Sequence, residues 1–346
     1  MAATMRALTL ERYGSPFAWR SLPVPMIGSE EVLVKVRANG LCGTDLKIVA
    51  GQVGSVTLPA VIGHELSGEV AEVGKTVTHL APGDHVVVHI YIGCQICKHC
   101  RLGLENQCPR MRRLGFELPG GFGEYVAAPA RNVLRVDPSI PLDQVAILSG
   151  SIATVFHGLR AKGRIALGED VLVIGVGGLG IHAVQLAKAL GARVLAADIS
   201  DARLDGAIAH GAAAVINSAR EDLASRVREL TNGTGADVVV EIVGGEAITG
   251  VLAQSFTCLA SGGRLVVLGY AYGKPLTVDS AELVYGQWQV LGTRASTKQD
   301  LADVISLVEA GTIKPVVART FPLAAAAEAF ESLRTEPPLG RIVLTS

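Results

Sequence analysis

The sequence has no excess charge of either sign: 31 Lys and Arg stand against 32 Asp and Glu, for a net charge of −1. Such a chain has no electrostatic reason to bind nucleic acid or an acidic membrane. Long apolar runs are also missing. The longest candidate, 171–197, is bracketed by Glu169, Asp170 and Asp198 and broken by His182, Gln185, Lys188 and Arg193, so no membrane span is expected. The opening residues, MAATMRALTLERYG, hold no apolar block of the signal-peptide kind, and a cytoplasmic location is the expectation. Repeats and low-complexity linkers are absent, and the alanine run 324–327 reads as helix. What is present is 49% hydrophobic residues, 18% charged residues and 40 glycines. That supplies a large core with many tight turns and argues against disorder. A length of 346 residues predicts two domains.

The texture changes near Thr154. Before it, EVLVKVR (31–37), GEVAEV (68–73) and DHVVVHI (84–90) read as short strands set apart by Gly and Pro turns, an irregular β-rich region. After it, DVLVIG (170–175), a helical stretch 179–190 and ARVLAAD (192–198) form a strand–helix–strand unit. Both of its strands are too apolar to face water on either side. AAVIN (213–217), ADVVVEIV (236–243), GRLVVLG (263–269) and QVLGT (289–293) continue the alternation, with helices expected over 202–210, 222–231 and 247–258. Six strands with crossovers predict a doubly wound parallel α/β sheet of the Rossmann kind. Helices over 299–310 and 324–333 and a strand in GRIVL (340–344) complete the chain.

Gly175-x-Gly177-x-x-Gly180 follows the first of these strands and opens a helix. Gly175 permits the turn, Gly177 lets backbone approach a pyrophosphate, and Gly180 lets helix and strand pack closely. Gly178 and Leu179 complete the turn, whose helix N-terminus offers free N–H groups to phosphate. Asp198 ends the next strand, about twenty residues on, where a carboxylate accepts ribose hydroxyls and repels a 2′-phosphate. NAD is therefore expected over NADP. Arg203, just beyond, is a candidate for adenine or phosphate contact as well as a plain solvated helix residue. Val243, Leu268, Gly269 and Tyr270, at later strand ends, are further candidate cofactor contacts.

Of the six cysteines, Cys94, Cys97, Cys100 and Cys108 lie within fifteen residues. Four thiolates on a compact loop suit tetrahedral zinc in a closed, structural site; spacing alone leaves an iron–sulfur cluster or free thiols open. Cys258 reads as a small buried apolar residue. Cys42 and His64, twenty-two residues apart, could ligate a catalytic zinc with the adjacent Glu65, and Thr44 stands two residues from Cys42 to take a hydroxyl proton. By themselves Cys42 and His64 read more readily as ordinary core residues than as ligands.

The order GLCGTD, GHE, the four-cysteine lobe, GGFGEY (120–125) and VIGVGGLG resembles the zinc-containing medium-chain alcohol dehydrogenases through essentially the whole chain. The resemblance implies reversible hydride transfer between a primary or secondary alcohol, or a polyol, and NAD. It implies catalytic zinc on Cys42 and His64, with Glu65 approaching it, and structural zinc on the lobe at about 93–109. It also implies a GroES-like catalytic domain over 1–153 and 295–346 around a Rossmann domain over 154–294. Arg341 is expected to reach the pyrophosphate, and a homodimer or homotetramer to pair through the cofactor domain.

Two departures stand out. The family's third catalytic ligand is a Cys, Asp or Glu near the domain junction, where this chain has Gly150 between Ser149 and Ser151. Glu65 is then the available substitute. Lys47 stands where many relatives have the His that ends a proton relay. His157 follows the junction and reads as a relay group or a packed histidine. His89, Ile90 and Tyr91 read either as pocket lining or as strand residues facing the core. The missing ligand also leaves room for a zinc-poor reductase of quinones or activated double bonds. A reading from another class is a cofactor-binding sensor or structural protein without turnover.

Overall fold

The computed structural model describes residues 3–346, whose contacts divide into two compact units. One holds the chain up to Ala153 with Ala295–Gly311 and Val317–Ser346; the other holds Thr154–Arg294 and Thr312–Val316. The sequence reading keeps all of 295–346 in one domain, whereas Thr312–Val316 packs with the other unit. Side chains of the helix Gly180–Ala189 hold this return. Gln185 and Lys314 exchange two hydrogen bonds (3.0 and 2.9 Å), and the Val316 N–H donates to His182 Nε2 at 3.0 Å.

The first unit is built on a seven-stranded sheet around the long strand Glu31–Leu41. Val32, Val34 and Val36 point into the core, and towards its end the strand is buried on both faces, from Ala38 to Leu41. Antiparallel partners lie along both edges of this strand: Leu66–Val73, Tyr125–Pro129 and Arg341–Thr345. Their register decides the chemistry. Asn39 pairs with Leu66 and Leu41 with Ile342, so Cys42, Glu65 and Arg341 converge at one strand end.

The second unit is a six-stranded parallel sheet ordered Ala214–Asn217, Arg193–Asp198, Asp170–Ile174, Ala236–Glu241, Leu259–Val267, Gln289–Gly292. This is the doubly wound order, whose direction of winding reverses between Asp170–Ile174 and Ala236–Glu241. Val171–Val173 and Val238–Val240 are fully buried, as central parallel strands covered on both faces should be.

The longest element that escaped the sequence reading runs through the domain junction. Leu142–Lys162 is helical throughout, with π-turns over Leu148–Ile152 and Gly158–Lys162. It is the one described helix long and apolar enough to cross a membrane, yet most of its apolar stretch is buried inside the protein. A helix apolar on all sides is a core helix when protein surrounds it.

Candidate active site and cofactor site

Cys42 caps the short helix Gly43–Val49, and its N–H donates to Asp45 Oδ2 at 2.8 Å. The other Asp45 oxygen lies 3.0 Å from His64 Nδ1. A carboxylate oxygen accepts, so Nδ1 carries a proton and Nε2 is the ring nitrogen left to a metal. One carboxylate thus positions two candidate ligands. Asp45 went unassigned in the sequence; its signal is a spacing of three from Cys42, which only a helical turn makes meaningful.

The ligand atoms of Cys42, His64 and Glu65 all lie within 4.8 Å of one another. Thiolate, imidazole and carboxylate within this span are a zinc donor set with a fourth position left open. Glu65 is completely buried, and its Oε1 accepts from Arg341 Nη2 at 2.7 Å while Oε2 has no partner among the described residues. Two glycines make its cavity. A Cβ on Gly150 would stand 2.3 Å from Glu65 Cγ, and one on Gly40 2.3 Å from Glu65 Oε2. The side chain missing at Gly150 is the room Glu65 occupies.

Burial resists ionisation of the Cys42 thiol, but Arg341 and His64 outweigh it and hold it below its usual range. Burial likewise opposes charge on His64, yet Asp45 and Cys42 raise it well above 6.5. Burial leaves Glu65 raised despite Arg341. Thr44 and Lys47 lie half-buried on the helix that begins at Gly43, and burial depresses Lys47. Phe116 packs on the His64 ring at 5.1 Å, and the Arg113 guanidinium lies 4.0 Å from the Phe116 ring centre; neither residue stood out in the sequence.

Cys94, Cys97, Cys100 and Cys108 form a second cluster with all four sulfurs within 4.8 Å of one another. Cys97 and Cys108 are 3.8 Å apart, and a tetrahedron with zinc–sulfur arms of ~2.3 Å calls for sulfurs ~3.8 Å apart. The Cys94 and Cys100 N–H groups and Arg110 point at these sulfurs, stabilising thiolates. Glu105 ties the lobe down by accepting from the Lys298 N–H at 2.7 Å.

In the second unit Gly175 has φ +94, and a Cβ on Gly180 would meet Gly175 O at 1.8 Å, so both must be glycine. Gly177 faces open space, as close approach of a ligand requires. The helix Gly180–Ala189 has no side-chain cap at Leu179, and Gly178 O accepts from His182 Nδ1 at 3.0 Å. Asp198 Oδ2 accepts from the Val176 N–H at 2.8 Å, and Oδ1 accepts from Ser200 N at 3.0 Å and Arg203 at 3.5 Å. Arg203 is thereby drawn to Asp198. Val243 and Tyr270 are exposed at adjacent strand ends, flanked by Leu268 and Gly269.

Residues 28–138 match the alcohol dehydrogenase GroES-like domain and residues 178–310 the zinc-binding dehydrogenase domain. An NAD-dependent alcohol dehydrogenase of Sulfolobus acidocaldarius is 34% identical over 98% of this chain and 99% of its own. The chain belongs to the zinc-containing medium-chain alcohol dehydrogenase family. An L-threonine 3-dehydrogenase of Symbiobacterium thermophilum is 37% identical over 99% of this chain and 98% of its own. The solved alcohol dehydrogenase of Aeropyrum pernix superposes with a TM-score of 0.91 at 28% identity, covering 99% of this chain and all of that one.

Within this family fold, Arg341 lies at the catalytic end of the sheet. It is 5% exposed and donates to Glu65, because the Leu41–Ile342 register carries it to the Cys42 end of the central strand. His89 is buried, its Nε2 bonded to Ser296 O at 3.0 Å, and His157 and Cys258 are buried too. Burial depresses His89 to about 4, so the folded protein prefers it neutral. Stability from neutral His89 is therefore present above pH 6.5 and lost as pH falls towards 4. His89→Gln should flatten that part of the stability–pH curve, by up to about 3 kcal/mol at the acid end. Thermal melts of both proteins across this range measure it, and parallel curves would refute it.

Proposed function

We propose that the chain catalyses reversible hydride transfer between a primary or secondary alcohol, or a polyol, and NAD, giving the aldehyde or ketone. The donor triangle of Cys42, His64 and Glu65, in a chain that also carries a dinucleotide turn, is the observation that carries this reading. These three residues would hold the catalytic zinc, and Cys94, Cys97, Cys100 and Cys108 a structural one. When bound, zinc supplies polarisation of the substrate oxygen and NAD the hydride acceptor.

The chain's own residues do the rest. Asp45 fixes the His64 tautomer and holds the N–H of Cys42, so both ligands are aimed before a metal arrives. Arg341 offsets the charge of Glu65 in a buried site. Thr44 takes the alcohol proton, and Lys47 stands at the usual exit of the relay. Asp198 accepts the ribose hydroxyls and repels a 2′-phosphate, a repulsion that Arg203 beside it offsets in part. Gly175, Gly177, Gly178, Leu179 and Gly180 receive the pyrophosphate at the helix N-terminus. Asp198→Ala should weaken NADH binding about tenfold and narrow the preference over NADPH. Titration with both cofactors tests it, and an unchanged preference would count against the assignment.

A homodimer or homotetramer is part of the proposal. Gln289–Gly292 is an edge strand beside the exposed Val284, Tyr285 and Val290, an unpaired edge of the kind that pairs with a second copy. Metal analysis combined with NADH formation over a panel of alcohols tests the function. About two zinc atoms per chain and turnover are expected; one zinc and no turnover would overturn the reading.

A further inference from the structure

The strand Ala236–Glu241 ends on a glutamate with no solvent exposure. Its Oε1 accepts from the Gly244 N–H at 3.0 Å, and its backbone carbonyl accepts from the N–H groups of Leu268 and Gly269 at 2.9 and 3.2 Å. Gly244 sits in the loop after Ala236–Glu241, and Leu268 and Gly269 in the loop after Leu259–Val267. One residue therefore fastens the exits of two neighbouring strands. The fit is close: a Cβ on Gly269 would stand 2.4 Å from Gly244 N and 2.7 Å from Glu241 Oε2. Gly244 has φ +62, a left-handed conformation that favours glycine at this tight loop.

The place of these loops gives them a task. In a doubly wound sheet each half receives one nucleotide, on either side of the strand-order reversal. The Gly-rich turn and Asp198 follow Asp170–Ile174 and Arg193–Asp198, the first half. Glu241, Val243, Gly269 and Tyr270 follow strands of the second half. We propose that Glu241 is a positioning residue for the nicotinamide half of the cofactor, acting by locking the 243–245 and 268–270 loops together.

This rests on the NAD reading above and extends it to a residue that need not touch the cofactor. A buried carboxylate is costly to desolvate, and burial raises the pKa of Glu241 even though three backbone N–H groups, of Gly244, Val243 and Gly269, oppose the rise. Its Oε2 has no partner among the described residues. An apolar side chain would fill the space without that cost, so the carboxylate is explained by its grip on Gly244 and not by packing.

Two probes separate a local role from a general structural one. NADH engages both halves of the sheet, whereas ADP-ribose lacks the nicotinamide. Fluorescence or calorimetric titration of the zinc-loaded protein is expected to show Glu241→Ala weakening NADH about tenfold, with ADP-ribose within about twofold of wild type. Glu241→Gln keeps an oxygen for the Gly244 N–H and should restore most of the NADH affinity. Gly269→Ala, whose methyl group would wedge the loops apart, should reproduce the alanine pattern and serves if Glu241→Ala does not fold. Equal loss of NADH and ADP-ribose in these variants, or no loss of NADH, would overturn the proposal. Wild-type protein that binds neither probe would instead overturn the cofactor reading beneath it.

Discussion

Glu65→Ala should reduce zinc from about two atoms to about one per chain and lower alcohol oxidation by about a thousandfold or more. The expectation follows from what surrounds Glu65. Cys42 and His64 are the other two donors of the triangle, and two protein ligands are too few for a stable catalytic zinc. The other first-unit cluster is untouched, so about one metal should remain. Gly150 supplies the complementary variant. Gly150→Asp alone should fail, because its Cβ would stand 2.3 Å from Glu65 Cγ. Combined with Glu65→Ala the clash is gone, and a carboxylate returns to the family's usual third-ligand position. The double variant should recover the second zinc and part of the activity, a coupling far from additive. Metal analysis alongside initial rates reads both effects. Full zinc content in Glu65→Ala would remove Glu65 from the ligand set.

Arg341→Ala carries the second large effect. The Arg341–Glu65 pair is 2.7 Å long with side chains 5% and 0% exposed, so removal of the cation leaves a buried carboxylate uncompensated. Breaking such a pair costs about 3–5 kcal/mol, whereas an exposed pair costs ~1 kcal/mol or less. The destabilisation should appear in denaturant melts of the cofactor-free protein. It should be smaller in the double variant with Glu65→Gln, which no longer buries an unpaired charge. An unchanged apo melt combined with weakened NADH binding would return Arg341 to the pyrophosphate role that the family resemblance implies.

Much of this was legible in the residue order because it is local. Gly175, Gly177 and Gly180 are read from six consecutive positions after an apolar strand, and their conformational demands need no tertiary information. The lobe cysteines are similarly close in sequence, and a short loop with four thiols leaves few ways to place them. The helix around Gly150 was not legible. Ser149, Gly150 and Ser151 are poor helix formers, and burial on all sides leaves no amphipathic period to detect.

The sequence by itself determined the alternating second domain, the dinucleotide turn with Asp198, and the four-thiol lobe, because each depends on spacing within one short segment. Only the tertiary structure decided what completes the catalytic site. Cys42, Glu65 and Arg341 converge through strand register and the helix Leu142–Lys162 brings Gly150 against Glu65, which no local pattern encodes. That convergence makes the absent side chain at Gly150 into space for Glu65, and it gives Glu65 a buried cationic partner in Arg341.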